Sequence, residues 1–494
     1  DSELSELSSS SVNDDFDFSG GSAIDNTNVH TSDDGSESTY DYSQSGERII
    51  AVAGVVQAGK KNLGISYAHA DVKTEKIAQI LNSEIDATGG SVDVSARDEA
   101  LLYTVSIGLG VSTGSLSGVG SVAVNRLNNQ VHAQIGDWDG SDSGSIKADT
   151  VAVTAQNDMD LINVAGAIAI ATGGDEGSAN AGGLAVALNL IGTNDHSTQA
   201  RIANIDLEVA GDLTVKAARG ASDNENLLVG NAIAAAISAG SSGIAFAGAI
   251  GVNNVDQKIH AGIKDVGNSS ATQMSGDVIV QAIDYTASVG TAWMVAGSTS
   301  GSAGGVSIAT NRVDSDVTAE ILGNNSTRGS TALNAQNVTV DALRNNWLLT
   351  IDAGVAAASQ LAVAGSVGTG VIDGNVIARI SDDAKIEAHN NVLVNADAKS
   401  VNMVGSGAVG IGLNGSAGAL AVATALEYGE TSAYIEDADV TAYGRGSNMT
   451  VDSGNLANAN ALPDLSTSGQ GEDDGDDSNA DAVDMDDLTP GFAS

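Results

Sequence analysis

The pattern Ala-x-Ile returns seven times along this chain, at Ala78/Ile80, Ala133/Ile135, Ala200/Ile202, Ala261/Ile263, Ala319/Ile321, Ala378/Ile380 and Ala433/Ile435. Successive isoleucines lie 55, 67, 61, 58, 59 and 55 residues apart. Recurrence on so regular a period argues against one conventional core. It points to a stacked array, in which each unit buries its apolar face against its neighbours. A second marker, a β-branched x-Val-x-Ala pattern, follows each isoleucine. It reads VDVSA at 92–96, VAVTA at 151–155, LTVKA at 213–217, VIVQA at 278–282, VTVDA at 338–342, VLVNA at 392–396 and MTVDS at 449–453. A third marker precedes most Ala-x-Ile pairs: an Ala/Gly/Val/Ile run, a Gly/Ser turn and a second small-residue run, as in AGAIAIA at 165–171 and GGLAVALN at 182–189.

Each marker alternates with period two, which predicts strands joined by Gly, Asn, Asp and Ser turns. Alanine is the best helix former, but these runs interleave Gly, Ile and Val and lack caps. Aromatics make up only 3% of the chain, while Gly numbers 60. Small and β-branched residues suit thin, closely stacked sheets better than a bulky globular core. The expected fold is all-β, an elongated β-solenoid or β-helix-like repeat array over 47–453. Units of this length are expected to supply more than one rung each. A string of long-stranded hairpins in one extended stack is the alternative.

Residues 1–46 carry eleven acidic residues and 454–494 ten, neither with Lys or Arg. They read as acidic, disordered-like linkers or tails, unable to bury enough apolar surface to offset chain entropy. The chain begins at Asp1 without a basic n-region and apolar h-region, and reads as a processed or excised part of a longer protein. The uncharged run at 226–255 reads as a buried pair of strands rather than a membrane helix, because Gly and Ser interrupt it.

Within the array, an Asn closes the apolar half-strand in four copies, at Asn125, Asn189, Asn253 and Asn311. Ala70, Gly370 and Ala425 stand at the equivalent places in other copies. A polar residue at a fixed place in a stack suggests a structural corner, its amide bonding the backbone or the matching amide of the next coil. A simple bulge or turn preference explains it equally well. In 164–171, alternate alanines form a nearly flat face and Val164, Ile168 and Ile170 a bulky one. Both faces are expected to be covered, the flat one by a layer of the same chain or of a neighbour.

Residues 120–158, GSVAVNRLNNQVHAQIGDWDGSDSGSIKADTVAVTAQND, resemble one repeat of the leukotoxin-type, filamentous haemagglutinin-like large repetitive surface adhesins of Gram-negative bacteria. Asn125, Ala133/Ile135 and Val151/Val153/Ala155 carry the match, and the likeness spans about 47–453. The copies at 47–96, 350–396 and 402–453 lack the Val-Asn pair. The resemblance implies a secreted, elongated β structure at the bacterial cell surface, serving adhesion or a filament shaft, with toxicity in some members.

Signals for chemistry are sparse. His30, His69, His132, His196, His260 and His389 form no metalloprotease pattern, and His132 and His260 read as solvent-facing strand residues at equivalent places. Trp138, Trp293 and Trp347 occupy non-equivalent positions, so no copy gathers acid, base and ring as a glycosidase would. The best small-ligand candidate is calcium, on the DWDGSD loop at 137–142, where Asp137, Asp139 and Asp142 surround Gly140. A plain solvated acidic turn is the alternative.

A net charge of −43 weighs against nucleic acid and stable membrane insertion. With no cysteine, disulfides and thiolate metal sites are excluded. The expected function is non-enzymatic: a structural or adhesive segment of an extracellular filament whose partners are further copies of itself or a cell-surface receptor. A β-helical carbohydrate-binding or carbohydrate-active module, or a cytolysin fragment, are the alternatives.

Overall fold

The computed structural model describes residues 27–31, 37–41, 47–140, 144–173, 177–192, 196–220, 226–266, 276–323 and 332–445. The acidic segment 454–494 and most of 1–46 therefore lie outside the described residues. The chain divides into two units, Asp1–Arg48 and Ile49–Ser494. The first holds an antiparallel hairpin of Thr27–Thr31 with Glu37–Asp41.

The second unit is all-β, and among the described residues no helix occurs. Among the described residues, seventeen strands form one large sheet system and three short ones another. Neighbouring repeats pair in parallel, in register, residue for equivalent residue. Val92 pairs with Val151, Val151 with Leu213, Leu213 with Val278, Val278 with Val338 and Val338 with Val392. The Ala-x-Ile alanines stack likewise, from Ala133 through Ala200, Ala261, Ala319 and Ala378 to Ala433.

Each repeat is thus one layer, where its length suggested more than one rung. Its residues are consumed sideways, in two long arms. In the fifth and sixth repeats the first arm is Val278–Ser298 or Val338–Ala358, 21 residues each. At about 3.3 Å per residue such an arm runs roughly 70 Å. A Gly/Ser turn then reverses the chain into a second arm, such as Ile244–Lys264 or Ser302–Leu322. The turns stack too: Thr299 N–H donates to the Ser238 carbonyl and Ser302 N–H to the Gly243 carbonyl. A short strand, such as Asp206–Val209 or Lys385–Ala388, closes the layer before the next first arm. The uncharged run at 226–255 forms parts of two strands, Asn226–Ser238 and Ile244–Lys264. No helix among the described residues is long and apolar enough to cross a membrane.

Three apolar zones lie between the arms. At the base, the two markers face each other and the short strand: Val131, Ala133 and Ile135 pack with Ile146, Val151, Val153 and Ala155. This enclosure is why both markers recur. Midway lies a leucine-rich column including Leu102, Leu127, Leu161 and Leu228. Toward the turn the interior is almost wholly alanine, with Ala165, Ala167, Ala169 and Ala171 of one arm against Ala181, Ala185 and Ala187 of the other. The flat face is therefore covered within the same chain. Packing there is close enough that a Cβ added to Gly183 would sit 2.5 Å from the Ala235 carbonyl oxygen. The bulky face differs from expectation: Ile168 points outward and stays 42% exposed. Alanine faces let two sheets approach closely, so the larger side chains must go to the outside.

Candidate functional site: polar seams between layers

The four marker asparagines stand inside strands, at full burial, rather than at a corner. Their amides form a ladder along the stack. Asn125 Nδ2 donates to Asn189 Oδ1 at 3.0 Å, and Asn189 Nδ2 donates to Asn253 Oδ1 at 2.8 Å and to the Val229 carbonyl at 2.9 Å. At Asn253 the ladder turns to the facing arm, donating to Ser288 Oγ at 3.2 Å and the Val289 carbonyl at 2.9 Å. Asn311 exchanges bonds with Ser288. The position tolerates Gly370 because Asn402 of the facing arm takes over, its Nδ2 donating to the Gly370 and Leu426 carbonyls at 3.0 Å each. The reason for this placement is polar satisfaction within a dry interior, where each amide finds partners one layer away.

A second buried seam lies between the leucine column and the base core. One register carries Asp98, Asn157, Arg219, Asp284 and Arg344 in successive layers, so opposite charges neighbour one another. Asn129 Nδ2 donates to Asp98 and to Asn157, each at 3.1 Å. Asp284 accepts from Gln257, Ser315 and Thr286 at 2.7–2.8 Å. Arg344 Nη1 donates to the Asp373 and Gly374 carbonyls. Arg219 is the exception: it is buried, and none of its three guanidinium nitrogens meets an acceptor. Burial lowers its pKa to about 10 against the opposing pull of Asp284 and Asp160. Buried beside it, His196 has its pKa pushed well down by desolvation, with the Arg219 charge adding to the effect.

The third seam is on the outer side of the Ala-x-Ile strands. Trp138, from the loop after the second layer, folds over the fourth layer at Gly262, where an added Cβ would lie 2.5 Å from the ring. Arg201 and Lys264 approach the indole at 5.2 and 5.4 Å, and His260 meets it edge-on at 5.0 Å. Arg201 Nε donates to His260 Nδ1 at 2.9 Å. The imidazole is thereby a neutral tautomer whose Nε2–H donates to Glu320 Oε1 at 2.8 Å. Arg379 grips the other Glu320 oxygen, its Nε donating to Oε2 at 2.8 Å. Burial lowers the His260 pKa, and the pull of Glu320 does not offset it, with Arg201 and Arg379 alongside. Burial also works against the Glu320 carboxylate, yet His260 and Arg379 together hold it below the ordinary glutamate value. His260 is thus enclosed, not solvent-facing as its strand parity suggested. Its stacking equivalents are Gln199 and, one layer further back, His132, whose Nε2 lies 2.9 Å from Ser197 Oγ.

Of the proposed calcium ligands, Asp137 and Asp139 are exposed, and Asp137 Oδ1 accepts the Asp139 N–H at 3.2 Å in a local turn. Asn204 of the next layer clamps that turn, donating to the Asp137 and Gly140 carbonyls at 2.6 and 3.0 Å. Asp142 lies outside the described residues. Among the described residues no three His, Asp or Glu side chains converge as a metal-ligand group. Single-strand parity gave no hint of the Trp138 cluster, because its members come from different repeats and meet only through stacking. No protein-family model, curated protein or solved structure matches this chain.

Proposed function

We propose that the repeat array is a β-solenoid segment of a secreted bacterial surface filament, acting as shaft and contact surface rather than as an enzyme. The observation that carries this reading is the in-register pairing of whole arms between successive repeats. Such pairing joins each layer to the next by a continuous row of main-chain hydrogen bonds. Seams of buried side chains add to it: the Asn ladder inside, and outside the chain of contacts from Trp138 through Arg201, His260 and Glu320 to Arg379, which ties the second layer to the sixth. The likeness of residues 120–158 to leukotoxin-type adhesin repeats supports a surface location. The Trp138 cluster does combine ring, acid and base, but Arg201 and Lys264 flank the indole and Glu320 is bonded on both oxygens. Those groups are engaged with one another, which favours a clamp over a sugar site.

The test is fibre diffraction and electron microscopy of the purified chain. The expected result is β-type circular dichroism and a reflection at about 4.8 Å along the stacking direction. Turnover of a polysaccharide, or release of liposome contents, would overturn the reading in favour of an enzyme or a cytolysin.

A further inference from the structure

Near the arm-to-arm turn the layers are nearly free of charge in a chain of net charge −43, the exceptions in sequence being Lys60 and Lys61 in the first repeat and Asp175 and Glu176 in the third. No Asp, Glu, Lys or Arg occurs in 100–125, 161–173, 177–192, 226–255, 285–311 or 400–426, and 345–372 holds only the buried Asp352. On the outer side of the second arm this half is apolar and corrugated. One stacked register reads Gly118, Gly182, Phe246, Gly304, Val363, Gly418. Two residues further along each strand, the next outward register reads Gly120, Leu184, Gly248, Val306, Gly365, Leu420. From the third layer to the seventh, each layer carries one bulky residue and one glycine across these two registers, alternating in order. The result is a checkerboard of knobs and hollows. The knobs are uncovered: Phe246 is 55% and Leu420 65% exposed. The hollows differ in depth: no neighbouring atom lies within 4 Å of where a Cβ would stand at Gly182 or Gly418, whereas Leu184 Cδ1 and Val306 Cγ2 of the preceding layer lie 3.1 and 3.3 Å from that point at Gly248 and Gly365 and partly fill those two.

We propose that this face is the lateral contact between two copies of the chain, docked about a two-fold axis with the knobs of one in the hollows of the other. A surface of alternating knobs and hollows can complement itself, as an isologous contact requires. Charge favours the same occupant: overlap of these charge-poor halves leaves the acidic halves of both copies pointing apart, which limits their repulsion. The size also fits. Six layers at about 4.8 Å by nine residues at about 3.3 Å give a patch of roughly 850 Å² per partner, within the range of specific interfaces. This assignment deepens the filament reading by giving it a lateral contact, but it stands or falls on solution mass rather than on fibre diffraction.

The test is sedimentation velocity of the full chain over a concentration series, with circular dichroism to check folding. The wild type is expected to form a dimer. Phe246→Glu and Val363→Glu, each on the corrugated face, are expected to weaken it by at least about 100-fold. Val295→Glu, on the outer side of the first arm, is expected to leave it unchanged. Because the chain has no cysteine, single Leu184→Cys, Val306→Cys and Leu420→Cys variants report the contact directly, and at least one is expected to cross-link to itself under oxidation. A wild-type monomer at every concentration overturns the proposal, as does a dimer indifferent to Phe246→Glu. Flotation of a monomer with phosphatidylcholine vesicles, abolished by Phe246→Glu, overturns it in favour of a lipid surface. A 4.8 Å reflection from a monomeric chain would sink the dimer and leave the filament reading intact.

Discussion

Replacing Asn189 by alanine breaks the interior ladder at its centre. Three bonds go: the one accepted from Asn125 and the two donated to Asn253 and Val229. Asn125 Nδ2 keeps a long contact of 3.4 Å to the Ile162 carbonyl, while Asn253 Oδ1 loses the donor that reaches it from Asn189. A buried polar group left unpaired costs about 1–3 kcal/mol. Removing the amide also leaves a small void in a close-packed interior, which adds to that cost. The expected destabilisation of Asn189→Ala is about 3–5 kcal/mol, read as a shift of the urea midpoint. Asn189→Asp is expected to be worse, since a carboxylate would face the Asn253 oxygen and the Val229 carbonyl. A double-mutant cycle isolates the ladder itself. Asn189→Ala and Asn253→Ala should couple by at least about 1 kcal/mol, while Asn125→Ala and Asn311→Ala, three layers apart, should be additive. A single-variant cost below about 0.5 kcal/mol, or equal coupling for the distant pair, would refute the reasoning.

Two further perturbations follow from the other seams. His260 and His196 both have folded pKa values below their unfolded value, so the unfolded chain takes up protons first. Their stabilisation is present above about pH 6.5 and is lost as pH falls through that value, by up to about 1.4 kcal/mol per pH unit for each histidine. Asp158, Asp160 and Asp352, whose carboxyls are raised by burial, change stability in the opposite sense at lower pH. The comparison of wild type with His260→Gln between pH 7 and 5.5 therefore isolates the imidazole, and parallel stability curves would reject its role. Arg219→Met removes a buried cation with no acceptor, and the variant is expected to melt higher than wild type. A lower melting temperature would mean that Asp284 depends on that guanidinium after all.

Much of the fold is legible in residue order, for a physical reason. Period-two alternation reports a face buried against something, and Val151, Val153 and Ala155 or Val131, Ala133 and Ile135 are buried residues on one face of a strand. Layer count was not legible, because alternation says nothing of which residue lies one step along the stack; that is set by pairing such as Val278 with Val338. The direction of the small-residue face was likewise open. Alanine at 165, 167, 169 and 171 fits an internal contact or an external one equally, and only the reversed second arm decides. The polar seams were half visible. Asn125, Asn189, Asn253 and Asn311 stood out by recurring, whereas Asp98, Arg219, Asp284 and Arg344 share a register but differ in type. Residues whose roles depend on being unlike their neighbours in the stack leave no repeated signal. Trp138 belongs to the same class: its seat at Gly262 is 124 positions downstream, and only two layers away.

Growth of such a column is slow in chain and broad in section. Each 55–67-residue repeat lengthens the stack by a single inter-strand step of about 4.8 Å, while its arms reach roughly 70 Å across. Resistance to flexing rises steeply with breadth across the bending direction, as in a joist set on edge. Polypeptide laid crosswise in this way adds rigidity rather than reach, so a span of about 100 Å would call for some twenty repeats.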